Sequence, residues 1–142
     1  MSGRDFVDTN VLVYAVDDAE PAKRDRARSI LGADDAASRL VLSTQVLCEF
    51  YVVVTRRLQR PLPAGDAAEA VRELSKLAVV GSDADLVGDA VRLSIEAQLS
   101  LWDALVVEAA RVAGCERVLT EDLSHGAAIA SVRIENPFAV LD

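Results

Sequence analysis

The stretch Phe6-Val7-Asp8-Thr9-Asn10-Val11-Leu12-Val13-Tyr14 constrains what this chain can fold into more than any other. Apolar residues lead into an Asp-Thr-Asn triplet and apolar residues leave it, so the triplet falls where a buried strand hands over to a helix. Asp and Asn are poor inside either element and good at helix starts, where their side-chain oxygens accept backbone N–H bonds. Capping alone would account for Asp8 or Asn10. Position suggests more, because in an open α/β sheet ligands bind outside the carboxyl ends of the strands, and Asp8 stands at such an end. Whether other acids reach the same edge decides between the two readings.

The 142 residues suit one domain spanning 1–142, long enough to bury a core without disulfide or metal staples. Apolar content of 51% argues against disorder, and the apolar runs are too short and interrupted to cross a bilayer. The first residues lead straight into the first strand without the apolar segment and small-residue cleavage site of a secretory signal, so a cytoplasmic protein is expected. Cys48 and Cys115 lie in apolar surroundings without CxxC spacing, which predicts two buried free thiols. The net charge of −8 argues against a general nucleic-acid coat protein. It leaves room for a nuclease, because carboxylates neutralised by divalent cations contact phosphate through the metal.

Along the chain, a short helix is expected over 11–16, then a helix from Pro21 to Leu31 that stops at Gly32, with acids and proline at its start. Its Lys23, Arg24, Arg26 and Arg28 read as a solvated face. A second strand is expected over 39–42, followed by a helix over 45–58 capped by Ser43 or Thr44 and stopped near Arg60-Pro61-Leu62-Pro63. A helix over 64–77, a strand over 78–80 and a helix over 84–97 capped by Ser82 or Asp83 come next. The segment 99–113 should be an amphipathic helix with Trp102, Leu105, Val106 and Ala109 on one stripe and Gly114 as its stop. Strands are expected over 117–120 and 132–134, with a turn at Ser124-His125-Gly126. Strands alternating with helices imply an α/β fold with a mostly parallel central sheet covered on both faces.

Three further acids then command attention. Glu49 interrupts a run of apolar residues and falls at helical spacing from Val46 and Val53, so it borders the buried stripe, where a carboxylate is costly unless paired. Snorkelling, or an arginine partner, would be the purely structural explanation. Ser100-Leu101-Trp102-Asp103 fits a capping box, which puts the Asp103 carboxylate at a helix N-terminus beyond the sheet edge. Asp122 follows the fourth strand and so arrives at the same edge as Asp8, although an ordinary turn aspartate would look the same. Together Asp8, Glu49, Asp103 and Asp122 place hard oxygen ligands in one crevice, where Mg²⁺ or Mn²⁺ would be preferred over zinc and would activate water against a phosphodiester. His125, the one histidine, sits on a polar turn and reads as exposed.

Asp8-Thr9-Asn10, the mid-helix Glu49, Trp102-Asp103-Ala104-Leu105 and Thr120-Glu121-Asp122-Leu123 resemble, in order, the acidic motifs of PIN-domain ribonucleases, and the chain resembles the VapC-type toxins of VapBC toxin–antitoxin pairs over nearly its whole length. The resemblance implies a PIN-like three-layer α/β/α sandwich, Mg²⁺- or Mn²⁺-dependent endoribonuclease activity on an RNA substrate, a homodimer, and inhibition by a cognate VapB-type antitoxin whose C-terminal part occupies the active-site groove. Carried over residue by residue, Asp8, Glu49, Asp103 and Asp122 become the acidic quartet, with Asp8 and Asp103 the first choices as direct ligands, and Asn10 and the Thr120 hydroxyl become supporting polar groups. Arg56, Arg57 and Arg60 form a basic cluster in an acidic chain. Arg56 lies two turns beyond Glu49, about 10 Å along the helix, within reach of a flanking phosphate; the alternative is that these arginines complement the helix dipole. Two other readings remain open: an aspartate-based phosphatase with Asp8 as nucleophile, disfavoured because Asn10 stands where a second Asp is usual, and a non-catalytic PIN-like module that only binds a partner.

Overall fold

The computed structural model describes residues 3–141. In chain order the elements are β1 (Arg4–Val7), α1 (Thr9–Tyr14), α2 (Pro21–Leu31), α3 (Ala36–Arg39), β2 (Leu40–Ser43), α4 (Thr44–Arg56), α5 (Ala64–Leu74), β3 (Ala78–Val80), α6 (Ala84–Ala97), α7 (Leu101–Val112), β4 (Cys115–Leu119), β5 (Ala128–Ile129) and β6 (Val132–Glu135), followed by a short 3-10 helix at Ala139–Leu141. The strands form one sheet in the order β3-β2-β1-β4-β6-β5. β1 lies between β2 and β4 and runs parallel to both, with Phe6 opposite Val41 and Val118. Only β5 is antiparallel. Because the chain leaves β1 toward β2 on one side and returns as β4 on the other, the order reverses beside β1, and a crevice opens there at the carboxyl ends of β1 and β4.

Consecutive strand residues are buried, among them Phe6 and Val7, Leu40 to Leu42, and Val118 and Leu119, so both faces of the sheet are covered. α4 turns Val46, Phe50 and Val54 inward, and α7 is buried without a break from Ala104 to Ala110. No helix among the described residues is long and apolar enough to cross a membrane.

The structure corrects several sequence expectations. Cys115 is buried, and burial pushes its thiol up to about 11, but Cys48 is exposed. Cys48 is two positions on from Val46, and so roughly 200° round the helix from the buried stripe. Trp102 does not share the core with Leu105, Val106 and Ala109; it is 61% exposed because the first turn of α7 lies at the carboxyl edge, where the sheet has ended. The basic residues of α2 are not simply a solvated face. Lys23 bonds Glu121, Arg26 Nε donates to the Pro137 carbonyl and Arg28 Nε to that of Ala15, while Arg24 pairs with Asp18 and Asp25. The helix expected to reach Leu77 ends at Leu74, and α3 and β5 carry no clear signal in the sequence. The β5–β6 turn places Ala130 and Ser131 at φ 50° and 67°, a conformation usually marked by Asn-Gly, which is why no hairpin was legible.

At the opposite end of β1 lies a buried ion cluster. Asp5 is 2% exposed. Arg117 grips it with two hydrogen bonds, from Nε at 2.9 Å and Nη2 at 2.6 Å, and Arg39 Nη1 adds a third at 2.7 Å. Arg117 Nη1 also reaches Glu135 at 2.6 Å, so the cluster ties β1, β4, β6 and the end of α3 together.

Candidate active site

Asp8 sits between the last residue of β1 and the first of α1, and is 5% exposed. It is the N-cap of α1: its Oδ1 accepts from the Thr9 amide at 2.7 Å. Its Oδ2 accepts from the Thr120 hydroxyl at 2.8 Å and, more loosely, from Asn10 Nδ2 at 3.4 Å. Thus the capping and site readings of Asp8 are one geometry. Burial is the main reason that its carboxyl is pushed up to about 6; the bonds from Thr120 and Thr9 pull the other way, and the negative charges of Asp122 and Glu49 push further up.

Thr120 is wholly buried and follows β4 directly. Its amide bonds the Glu135 carbonyl, and its hydroxyl oxygen accepts from Asn10 Nδ2 at 3.0 Å and from the Asp122 amide at 3.1 Å. Asn10 Nδ2 also donates to Asp122 Oδ2 at 3.1 Å, and its Oδ1 accepts from the Glu121 amide. Asn10 and Thr120 therefore bind the start of α1 to the loop after β4. Glu121, between the two site residues, points away and is held by Tyr14 and by Lys23 Nζ at 3.0 Å, which fixes the loop from its other side.

Glu49 lies one turn into α4 and is half-buried. It has no arginine partner among the described residues; its Oε1 accepts from the Thr9 hydroxyl at 3.2 Å and from Gln45 Nε2 at 3.0 Å. Asp103 stands in the first turn of α7, its amide donating to the Ser100 hydroxyl at 3.1 Å as the capping motif required. Its carboxylate makes no hydrogen bond to the other three acids. The connection runs instead through Gln45 Nε2, which also donates to the Trp102 carbonyl at 3.3 Å. Thr9 and Gln45 are the site residues that sequence reasoning missed. For Gln45 the available signal was its spacing of four from Glu49, which stacks the two side chains on one helix face.

Asp8, Glu49 and Asp122 thus gather around α1, while the turn that carries Asp103 is tied to Glu49 through Gln45 and the Trp102 carbonyl. Among the described residues no group of three or more His, Cys, Asp or Glu is arranged so that it would hold a metal ion as it stands. Mg²⁺ does not need one: it is commonly held by one or two carboxylates and completes its octahedron with water. Asp8 and Asp122 share a single amide donor between them, an all-oxygen pair with charge to spare, and the donor set fits a hard divalent cation. Arg56, in the last turn of α4, and Arg57 and Arg60 beyond it are exposed. His125 is exposed as well, its Nδ1 accepting from the Asn136 amide.

Comparison with known proteins bears on the fold that carries these residues. Among solved structures the chain resembles VapC20 of Mycobacterium tuberculosis, a sarcin-ricin loop cleaving toxin, at 25% identity and a TM-score of 0.68 over 91% of this chain and 98% of that one. It also resembles a toxin–antitoxin complex from Klebsiella pneumoniae, at 20% identity and 0.67 over 94% and 97%, and a DNA-bound VapBC from Salmonella typhimurium, at 18% and 0.66 over 96% and 99%. No curated protein matches the chain. The model of the PIN domain matches residues 6–128, a span that contains Asp8, Glu49, Asp103 and Asp122 together with β1 and β4, and the chain belongs to the PIN-domain family.

Proposed function

We propose that the protein is an endoribonuclease dependent on Mg²⁺ or Mn²⁺, the toxin of a toxin–antitoxin pair, acting in the cytoplasm. The observation that carries the reading is Asp8: a buried carboxylate at the topological switch point, flanked by two more carboxylates and bonded, among the described residues, only by neutral donors. A structural acid in such a place is normally matched by an arginine or lysine, as Asp5 is at the other end of the same strand. Here the charge is left for a cation. Asp8, Asp122 and Asp103 would hold it, with Glu49 beside them; when bound, the ion lowers the pKa of water and stabilises charge on the phosphate oxygens.

The protein's own part is orientation and proton transfer. Thr120 and the Thr9 amide fix both oxygens of Asp8, and Asn10 sets Asp122 relative to it. Glu49 has both donors on Oε1, which leaves Oε2 to take a proton from water entering the crevice. The fold likeness to toxins in complexes supports a protein antitoxin as partner, and the homodimer that the sequence resemblance implies is proposed with it. An apolar groove of about 480 Å³ lined by Leu47, Cys48, Tyr51, Val52, Ala68 and Val71 supports a partner surface, and Cys48 and Val52 also flank Glu49.

Two tests follow. A ligand that binds only the folded state at roughly 100 times its dissociation constant stabilises it by about 2.7 kcal/mol. Mg²⁺ or Mn²⁺ should therefore raise the melting temperature of the parent by several degrees and leave Asp8→Asn unmoved; equal shifts in both would place the ion elsewhere. For the RNA path, Arg56→Ala in an Asp8→Asn background should weaken RNA binding with a slope of log affinity against log salt shallower by about one or less. Unchanged affinity and slope, with the fold preserved, would reduce Arg56 to a helix-end residue.

A further inference from the structure

The Gln45 side chain is placed unlike any other at the site. Both hydrogens of its amide are committed, one to Glu49 Oε1 at 3.0 Å and one to the Trp102 carbonyl at 3.3 Å. Its own Oε1 is buried and has no partner among the described residues. Rotating the amide by half a turn would set that oxygen against a carboxylate and a carbonyl at once, so the two acceptors dictate the orientation. An acceptor buried without a donor is costly, and such groups are rare enough in folded proteins that each asks for a reason. The reason here is what the NH₂ joins. It spans from α4, which carries Glu49, to the first turn of α7, which carries Asp103, and these two acids share no direct hydrogen bond.

We propose that Gln45 is a positioning residue, whose amide fixes the Glu49 carboxylate and the N-terminus of α7, hence Asp103, in one relation across the crevice. The proposal rests on the nuclease reading for its catalytic consequence but not for the tie itself. Groups that orient a metal-ligand shell typically contribute about 10- to 100-fold to activity when removed. Gln45→Met keeps the length and loses both bonds; Gln45→Glu keeps the shape and sets a like charge against Glu49 and the carbonyl.

The experiment uses the full chain, with melting curves to confirm folding. Against an RNA that the parent cleaves, both variants should lose about 10- to 100-fold in kcat with KM changed less than about threefold, because orientation of the acids is lost and the RNA surface is not. The second readout needs no metal and no RNA. Trp102 is the one tryptophan of the chain, so its fluorescence anisotropy decay reports the first turn of α7 without labelling. In Gln45→Met that turn should gain mobility on the nanosecond scale relative to the parent. A kcat within twofold of the parent, a loss carried by KM, or an unchanged anisotropy decay would each overturn the proposal. If Gln45→Met does not fold, Gln45→Glu carries the same comparisons. Failure of the parent to cleave any RNA, or an active Asp8→Asn, would count against the nuclease reading, whereas the anisotropy comparison would still decide the tie.

Discussion

Asp8→Asn should abolish RNA cleavage, with a loss of at least about a thousandfold, while making the metal-free protein no less stable at neutral pH. The substitution removes the charge and keeps the shape, so the fold has little to repair. The stability half follows from the sign of the shift. An aspartate whose folded-state pKa is raised, from 3.8 to about 6, favours the folded state most when protonated. That contribution is full below about pH 4 and is lost as pH rises through about 6, so without a divalent ion the parent should lose stability across this window. Two units correspond to about 3 kcal/mol at most, and the asparagine gives back about 1 kcal/mol by leaving the Thr120 hydroxyl without its acceptor. Chemical denaturation at pH 4.5 and 7.5 should therefore show a clear fall in the parent and a shallow one in Asp8→Asn. Cleavage near the parental rate by Asp8→Asn, or a steeper fall in the variant, would remove Asp8 from the centre of the site.

Asp5→Ala should have the largest effect on stability of any single change considered, about 3 kcal/mol, lowering the melting temperature by about 10 °C. Its carboxylate is the common acceptor for Arg39 and Arg117, whose charges are otherwise three-quarters or more buried. Removing it leaves two guanidinium groups facing each other, with Glu135 and Asp35 as their remaining partners. Restoring shape without charge, as in Asp5→Asn, should recover only part of the loss. A melting temperature within a few degrees of the parent in Asp5→Ala would show that these remaining acids suffice.

The contrast between the two aspartates explains what was legible in the sequence. Asp8 is conspicuous because apolar residues enclose it on both sides, a local pattern. Asp5 reads as the polar lead-in to a strand, since its partners arrive 34 and 112 positions later and nothing nearby marks them. Elements whose signals are local were placed to the residue: α2 with proline at its start and glycine after its end, and α6 with Asp83 as cap. Those set by tertiary contacts were not. The exposure of Trp102 depends on where the sheet stops, whereas that of Cys48 follows from its angle to the Val46, Phe50 and Val54 stripe and was open to a closer reading. The four acids were singled out by their positions and became a quartet only through the family resemblance, and what holds them was not legible: Thr9 and Gln45, which bond Glu49, are ordinary polar residues in ordinary places.

One property of the topology bears on how the protein is made. The crevice draws on residues 8–10, 45–49, 100–103 and 120–122, and β4 must insert beside β1 before Asn10 can meet Thr120 and Asp122. Because contacts so distant in sequence form late, a growing chain on the ribosome carries Asp8 for most of its synthesis without an assembled acidic centre. Fragments cut off anywhere before Thr120 lack the hydroxyl that orients Asp8 and are expected to be inert. The cluster around Asp8 is thus complete only once Thr120 to Asp122 have been made and β4 has docked beside β1. An antitoxin of the kind proposed above would have until that docking to be present.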